Sequence, residues 1–475
     1  MVSSSRLPEP VATGARFLQA LSLADRRQEI TENFPHGEDV VESLRLISSD
    51  EDMLIAAYLA DRRFMDTLAN EEIETRFGDS VARLVRNVRT LNNLPGCGAN
   101  DWKSDEQAER LRRLLLALVD DVRAVLIKLA YRLQRLRMLD NADYHDRRCI
   151  ARETLEIYSP LANRLGASHL KWELEDLAFR YLDPISYKRI ARGLEERRAD
   201  REAYIDQFRH DLEALLKDGG IDASISGRPK HIYSIWKKMQ RKGVGLEELF
   251  DILALRVIVE TLGDCYATLG VVHTHWKTIP REFDDYIANP KPNGYQSLHT
   301  VVIGPGGKPV EIQIRTEEMD EFAEQGVAAH WIYKEGKARD DALQHVVNSL
   351  RTLLEDGGES NEELLEDFKT EIYANRVFVF TPKGQVIELP RGATPLDFAY
   401  AVHTEVGHRC RGAKVDGKIV PLTSKLETGD SVEILTGKEA APSRNWMDSK
   451  SGYLASASAR AKVRNWFHRQ DSKDN

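Results

Sequence analysis

Three stretches of the chain place cations, carboxylates and an aromatic where phosphate chemistry could use them. The first runs Gly227-Arg228-Pro229-Lys230-His231-Ile232-Tyr233-Ser234-Ile235-Trp236-Lys237-Lys238-Met239. Pro229 suits the first turn of a helix, and 3.6 residues per turn then puts Lys230, Ser234, Lys237, Lys238 and Arg241 on one face. Ile232, Ile235, Trp236 and Met239 fall on or near the other. Free N–H groups and a row of cations both favour an anion, so this is a phosphate site in physical terms. A solvated basic helix has the same pattern.

The second stretch is Val310-Glu311-Ile312-Gln313-Ile314-Arg315-Thr316. Strict alternation assigns Glu311, Gln313 and Arg315 to one face of a strand and Val310, Ile312 and Ile314 to the core. Glu311 could hold a divalent metal or accept a proton from a hydroxyl. Asp251 opens another strand, so two carboxylates on neighbouring strands could share a metal. An ordinary half-exposed sheet edge alternates in the same way. The third stretch, Asn289 to His299, is a loop fixed by Pro290, Pro292 and Gly294. It displays Lys291, Asn293, Tyr295, Gln296 and His299, suited to stacking on a base and holding its phosphates. Just upstream, Glu282-Phe283-Asp284-Asp285 could draw magnesium or could be a solvated acidic loop.

The elements that must position these residues follow from hydrophobic period. Residues 1–195 are helical; Leu111, Leu114, Leu115, Leu118, Val122, Val125, Leu126, Leu129 and Leu133 recur at three and four as one amphipathic helix. Residues 196–340 mix strands (252–260 and 309–316) with helices and loops, an α/β domain. Residues 341–375 are an acidic connector. Residues 376–438 hold two hairpins and one helix, a β-grasp pattern: Thr394-Pro395 is an N-cap followed by a proline at the first helical position, and Asp416-Gly417 a hairpin turn. Residues 439–475 read as the start of a C-terminal helical region.

At 475 residues the chain exceeds one core, and about three domains fit. No apolar run approaches a membrane span, the N-terminus lacks a signal-peptide core, and the four cysteines stand singly. Neither a disulfide framework nor a cysteine zinc site is indicated, and the cytoplasm is expected. The net charge of −9 argues against a protein that coats nucleic acid, while leaving room for a local basic site.

GRPKHIYSIWKKM, LFDILALRV, the acidic cluster, NPKPNGYQSLHT and VEIQIRT, in that order, together resemble the synthetase domain of the RelA/SpoT family. The likeness extends to YSPLANRLGASHLKWELED upstream and to VFVFTPKG through VEILT, similar to the family's TGS domain. The Glu-Phe-Asp-Asp sequence resembles the RelA-type monofunctional synthetases; bifunctional members carry a basic Arg-x-Lys-Asp there. The resemblance implies a multidomain chain: an all-α HD-like domain, a nucleotidyltransferase-like α/β synthetase domain, then a β-grasp TGS domain. It implies Mg²⁺-dependent transfer of pyrophosphate from ATP to the 3′-hydroxyl of GDP or GTP, making (p)ppGpp. By motif, Asp251 and Glu311 would be catalytic carboxylates and metal ligands. Arg228, Lys230 and Lys238 would hold ATP. Tyr295 would stack on guanine, with Lys291, Asn293 and His299 around the acceptor.

Family hydrolase domains carry a stretch like KLADRLHNMR. Here Tyr131 stands at the metal-binding Asp and Arg135 at the Asn, and Ala57-Tyr58-Leu59-Ala60-Asp61 has no histidine. The HD-like domain is therefore expected to be a degenerate, regulatory pseudo-hydrolase, since a Tyr and a cation cannot build a divalent site. The resemblance further implies that His408 and Arg409 approach the end of uncharged tRNA on the ribosome, and that long members continue past residue 475. Two competing readings are a (p)ppGpp hydrolase, opposed by the missing ligands, and a catalytically silent tRNA- and ribosome-binding regulator, opposed by Asp251 and Glu311.

Overall fold

The computed structural model describes residues 14–30, 34–93, 104–196, 198–228, 230–246, 253–279, 282–291, 293–326, 347–348, 351, 368, 376–427, 429–448 and 451–471. The chain divides into two units, residues 1–101 with 120–346, and residues 102–119 with 347–475. The acidic connector lies almost wholly outside the described residues, as does Asp251.

Among the described residues before Ala223 there is no strand. The long helix expected over 111–133 is two helices, Ser104–Asp120 and Val122–Arg137. Asp121 is extended between them (φ −155°, ψ 113°), and its carboxylate accepts from Arg123 N, which starts the second helix afresh. A hydrophobic repeat does not register such a break, because the apolar spacing continues across it. Val122–Arg137 is enclosed nearly all round, and even Arg132 is buried, paired with Glu153 at 2.7 Å.

The α/β part is a six-stranded mixed sheet of β1 (Ala223–Gly227), β2 (Ala254–Val259), β3 (Lys277–Thr278), β4 (Asp284–Asp285), β5 (Leu298–Ile303) and β6 (Pro309–Thr316). Its order is β1-β2-β6-β5-β3, with β4 on β5, and only β2–β6 is parallel. Leu255, Val257, Leu298, Val302, Val310, Ile312 and Ile314 pack under Phe208, Leu212 and Leu216 of the Arg198–Asp218 helix and Val272 of Leu262–His275. Each such side chain contributes about 1.5–3 kcal/mol by leaving water. That core fixes the register that lines up the opposite face of β6.

In the second unit, β7 (Arg376–Phe380) and β8 (Val386–Pro390) form a hairpin. The other sheet is β9 (Cys410–Val415), β10 (Lys418–Val420) and β11 (Val432–Thr436), in the order β10-β9-β11. Asp416 (φ 50°) and Gly417 (φ 77°) make the β9–β10 turn. Thr394 and Asp397 close a capping box on the Pro395–Val402 helix, with proline in its first turn. The tail is not apart from this core: Ala459 and Val463 of the Ala457–Asp471 helix pack with Leu396, Tyr400, Cys410 and Trp446.

Cys265 and Cys410 are free and buried. Cys149 is disulfide-bonded, which the singly scattered cysteines do not suggest. Among the described residues no helix is long and apolar enough to cross a membrane.

Candidate active site

Period two on β6 places Glu311, Gln313 and Arg315 on the face opposite the Val310, Ile312 and Ile314 core. That face is covered as well: Gln313 is 3% and Arg315 1% exposed. β6 is not the half-exposed edge that the same alternation would also suit: it is the centre of the sheet, flanked by β2 and β5. His299 of β5 stands directly opposite Gln313, and its Nδ1 lies 3.9 Å from Glu311 Oε1.

The Arg228–His231 loop comes to the same carboxylate. Arg228 N donates to Ala254 O at the start of β2, and Arg228 Nη1 donates to Gln313 Oε1 at 2.5 Å. Lys230 Nζ donates to Glu311 Oε2 at 2.5 Å, and Gln313 Nε2 donates to Glu311 Oε1 at 2.7 Å. Burial pushes the Glu311 carboxyl up. The Lys230 charge and these hydrogen bonds outweigh it and hold the group down at about 2. Burial also lowers His299, more than the neighbouring Glu311 raises it.

The helix begins at Ile232, not at the Pro229 position, so Lys230 precedes it instead of sharing a face with Lys237 and Lys238. Its first N–H groups are met from outside: Asp176 Oδ1 accepts from Tyr233 N at 2.8 Å and Oδ2 from Ile232 N at 3.3 Å. A cap supplied from over fifty residues upstream leaves no local sequence signal. Tyr233, Ile235 and Met239 are buried, and Lys238 sits half-buried, its amine lowered to about 8 by burial and by the charges of Lys230 and Lys242.

On the other side of Glu311 the 289–299 loop builds an aromatic box. Tyr295 OH lies 2.8 Å from His299 Nε2, and the Tyr286 ring meets His299 edge-on at 5.2 Å. Lys291 Nζ lies 4.2 Å from the Tyr286 centroid and 5.0 Å from that of Tyr295. Burial, then Lys171 and Arg228, lowers the Lys291 amine despite the carboxylates of Asp284 and Glu311. Asn293 faces away from this box: its Nδ2 donates to Asn163 O at 2.9 Å, and its Oδ1 accepts from Tyr295 N.

The three acidic side chains have separate partners. Asp285 accepts from Ile287 N, Ala288 N and Tyr266 OH, which is a turn's work. Glu282 is 3.6 Å from Lys242, and Asp284 pairs in register with His299. Sequence reasoning passes over Tyr286 and Arg256 and gives Gln313 no role of its own. Arg256 and Arg315 are held by Asp320 and Glu324 of the Glu317–Gln325 helix, with Arg256 Nη2 2.6 Å from Glu324. The alternation that singled out Glu311 also names Gln313; Tyr286 and Arg256 carried no such mark.

In the helical region, His36, Glu38 and Asp61 bring ligand atoms within 4.8 Å of one another. They do not fit a divalent ion: Glu38 is 2.7 Å from Arg27, and Asp61 is 3.0 Å from Arg63 and accepts from Gly37 N. Tyr131, Asn92 and Ile127 line the cavity beside Asp61, which leaves about 10 Å³, no more than one water needs. His145 and Asp146 sit at the exposed start of the Tyr144–Glu153 helix, and His210 bonds Asp206 O in its own helix.

His408 is not displayed. It is 5% exposed, with Nδ1 3.0 Å from Tyr400 OH and Trp466 of the C-terminal helix 6.2 Å from its ring. Arg409 Nε donates to Gly437 O. The tRNA-facing role that the resemblance implies for His408 needs an accessible ring, and the tail helix, read from sequence as the start of a further region, packs against it instead.

The family model for a region found in RelA / SpoT proteins matches residues 227–338, that for an HD domain 15–168, and that for a TGS domain 377–436. The GTP pyrophosphokinase of Escherichia coli (strain K12) is 50% identical over 447 residues, which is 92% of this chain and 60% of that protein. The GTP pyrophosphokinase of Haemophilus influenzae is 46% identical over 95% of this chain and 61% of its own length. A protein of Synechocystis named as a probable guanosine-3′,5′-bis(diphosphate) 3′-pyrophosphohydrolase is 43% identical, over 97% of this chain and 60% of its own. Overall identity therefore does not separate synthesis from hydrolysis, and individual residues must. Among solved structures, the small alarmone synthetase 1 of Bacillus subtilis bound to its product pppGpp is 27% identical over 36% of this chain and 95% of that one, with a TM-score of 0.25. The chain spans about three fifths of the length of the curated relatives it matches. With three family regions in one order and half the residues shared over nearly the whole chain, this protein belongs to the RelA/SpoT family.

Proposed function

We propose that the chain is a pyrophosphokinase that moves the β,γ-pyrophosphate of ATP to the 3′-hydroxyl of GDP or GTP. The observation that carries this reading is the placement of Glu311 between Lys230 and Gln313 on one side and the Tyr295–His299 pair on the other. One carboxylate thus serves two nucleotide sites. Arg228, Lys230 and Lys238 would take the ATP phosphates. Tyr295 would stack on guanine, with Lys291 and His299 beside it and Asn293 holding the loop. The 3′-oxygen attacks the β-phosphorus, the bond from that phosphorus to the α–β bridging oxygen breaks, and AMP leaves. The hydroxyl proton goes to Glu311, directly or through water. Lys230 suppresses that basicity at rest. A triphosphate that draws Lys230 away frees the Glu311 carboxylate for the metal or for the acceptor's proton.

Mg²⁺ would be held by Glu311 and by Asp251, which lies outside the described residues; when bound it neutralises phosphate charge. The HD-like domain is read as a pseudo-hydrolase, because arginines occupy the neighbourhood of Asp61 and Tyr131 the place of a ligand. Control by uncharged tRNA and the ribosome is proposed for the longer protein only, and not through an open His408. Incubating the chain with [γ-³²P]ATP, GDP and Mg²⁺ tests the reading: label is expected in a guanosine 3′-pyrophosphate, and at least about a hundredfold less with Glu311→Gln.

A further inference from the structure

The Arg228–His231 loop is gripped on its outer side by a helix of the preceding domain. Ser168–Leu182 brings Trp172, Glu175 and Asp176 to it. Asp176 bonds Ile232 N and Tyr233 N, the first-turn groups that the N-cap residue His231 does not meet with its own side chain. Trp172 stacks on His231 at 4.7 Å and 20°, and the same ring lies 4.7 Å from the Arg228 guanidinium. Glu175 reaches Lys237 at 3.7 Å. The same helix packs Phe179 on Tyr233 and Trp236, and beyond that apolar contact it aims Asp176, Trp172 and Glu175 at backbone N–H groups and cations.

We propose that Trp172 and Asp176 are positioning residues for the nucleoside triphosphate donor. Asp176 fixes where the Ile232–Lys242 helix starts, and hence where Lys230 and Lys238 project. Trp172 holds Arg228 from outside while Gln313 holds it from inside. An arginine fixed on both sides loses less rotamer freedom when it meets a phosphate. Donor affinity therefore depends on a helix that lies outside the 227–338 region matched by the family model. The inference rests on the assignment of Arg228, Lys230 and Lys238 to ATP.

Calorimetric titration of the full chain with ATP alone, and separately with GDP alone, tests it without turnover. Asp176→Ala and Trp172→Ala are expected to weaken ATP about tenfold and to move GDP less than about twofold. Asp176→Asn keeps an acceptor and Trp172→Phe keeps a ring, and both should regain most of the loss; they also serve should an alanine variant fail to fold. Unchanged ATP affinity, equal losses for both nucleotides, no regain, or tighter ATP with Asp176→Ala would each overturn the proposal. The last result would mean that the carboxylate competes with phosphate. A wild-type chain that binds ATP with this dependence yet forms no product would sink the transfer reaction and leave this inference standing.

Discussion

In the proposed reading the chemistry converges on Glu311, and its resting partner is a lysine that the donor would claim. Glu311→Gln should keep the circular-dichroism spectrum and lower synthesis by about 10²–10⁴-fold, the range for a lost acid–base group; near-normal turnover would move the chemistry elsewhere. Lys238 supplies a pH test. Its amine sits near pH 8 because burial and two neighbouring lysines disfavour the charged form. It is cationic below that pH and neutral above it. The kcat/KM for ATP should therefore hold steady up to about pH 8 and then fall by up to about tenfold per unit. Lys238→Arg, which stays charged, should remove that limb. Tyr295→Ala should raise the KM for GDP about tenfold or more while leaving that for ATP near its starting value, since one stacked base is worth ~1–3 kcal/mol.

At the scale of elements, the strands were legible and the joints were not. Alternation named β6, its core side and its three polar residues, because period two is a local property of the chain. It did not show that the polar side is enclosed, which depends on β5 and β2 arriving from elsewhere. The start of the Ile232–Lys242 helix was misplaced because Asp176 caps it across more than fifty residues. The Asp121 break was missed because leucines kept their spacing through it. The tRNA-facing role implied for His408 did not foresee the Ala457–Asp471 helix against Tyr400. Another joint predicts a cost. Gly326 (φ +62°) approaches Gly166 so closely that an added Cβ would lie 2.2 Å from the Gly166 carbonyl carbon and 2.5 Å from Leu165 O. Those are backbone atoms and cannot rotate aside. Gly326→Ala should destabilise the first unit by about 2 kcal/mol or more, seen as an earlier thermal transition; an unchanged melt would contradict the contact.

For the molecule as a whole, the order of an HD-like region, a mixed-sheet domain and a β-grasp unit was readable from motifs, and the comparisons bear it out. What motifs could not convey is how the helical domain reaches the site, through Asp176 on a helix start, Trp172 on Arg228 and Asn163 on Asn293. The proposed pseudo-hydrolase reading leaves the helical domain such a supporting role. The chain should accordingly release no pyrophosphate from ppGpp with Mn²⁺, and a release that survives Glu311→Gln would restore the hydrolase reading. The most direct measurement is separation of the nucleotides after the purified chain has met ATP, GDP and Mg²⁺. AMP and a guanosine carrying pyrophosphate at both the 5′ and 3′ positions, formed in equal amounts and at least about a hundredfold less with Glu311→Gln, is the predicted result. Unconverted nucleotides with wild-type protein that binds both of them would contradict it.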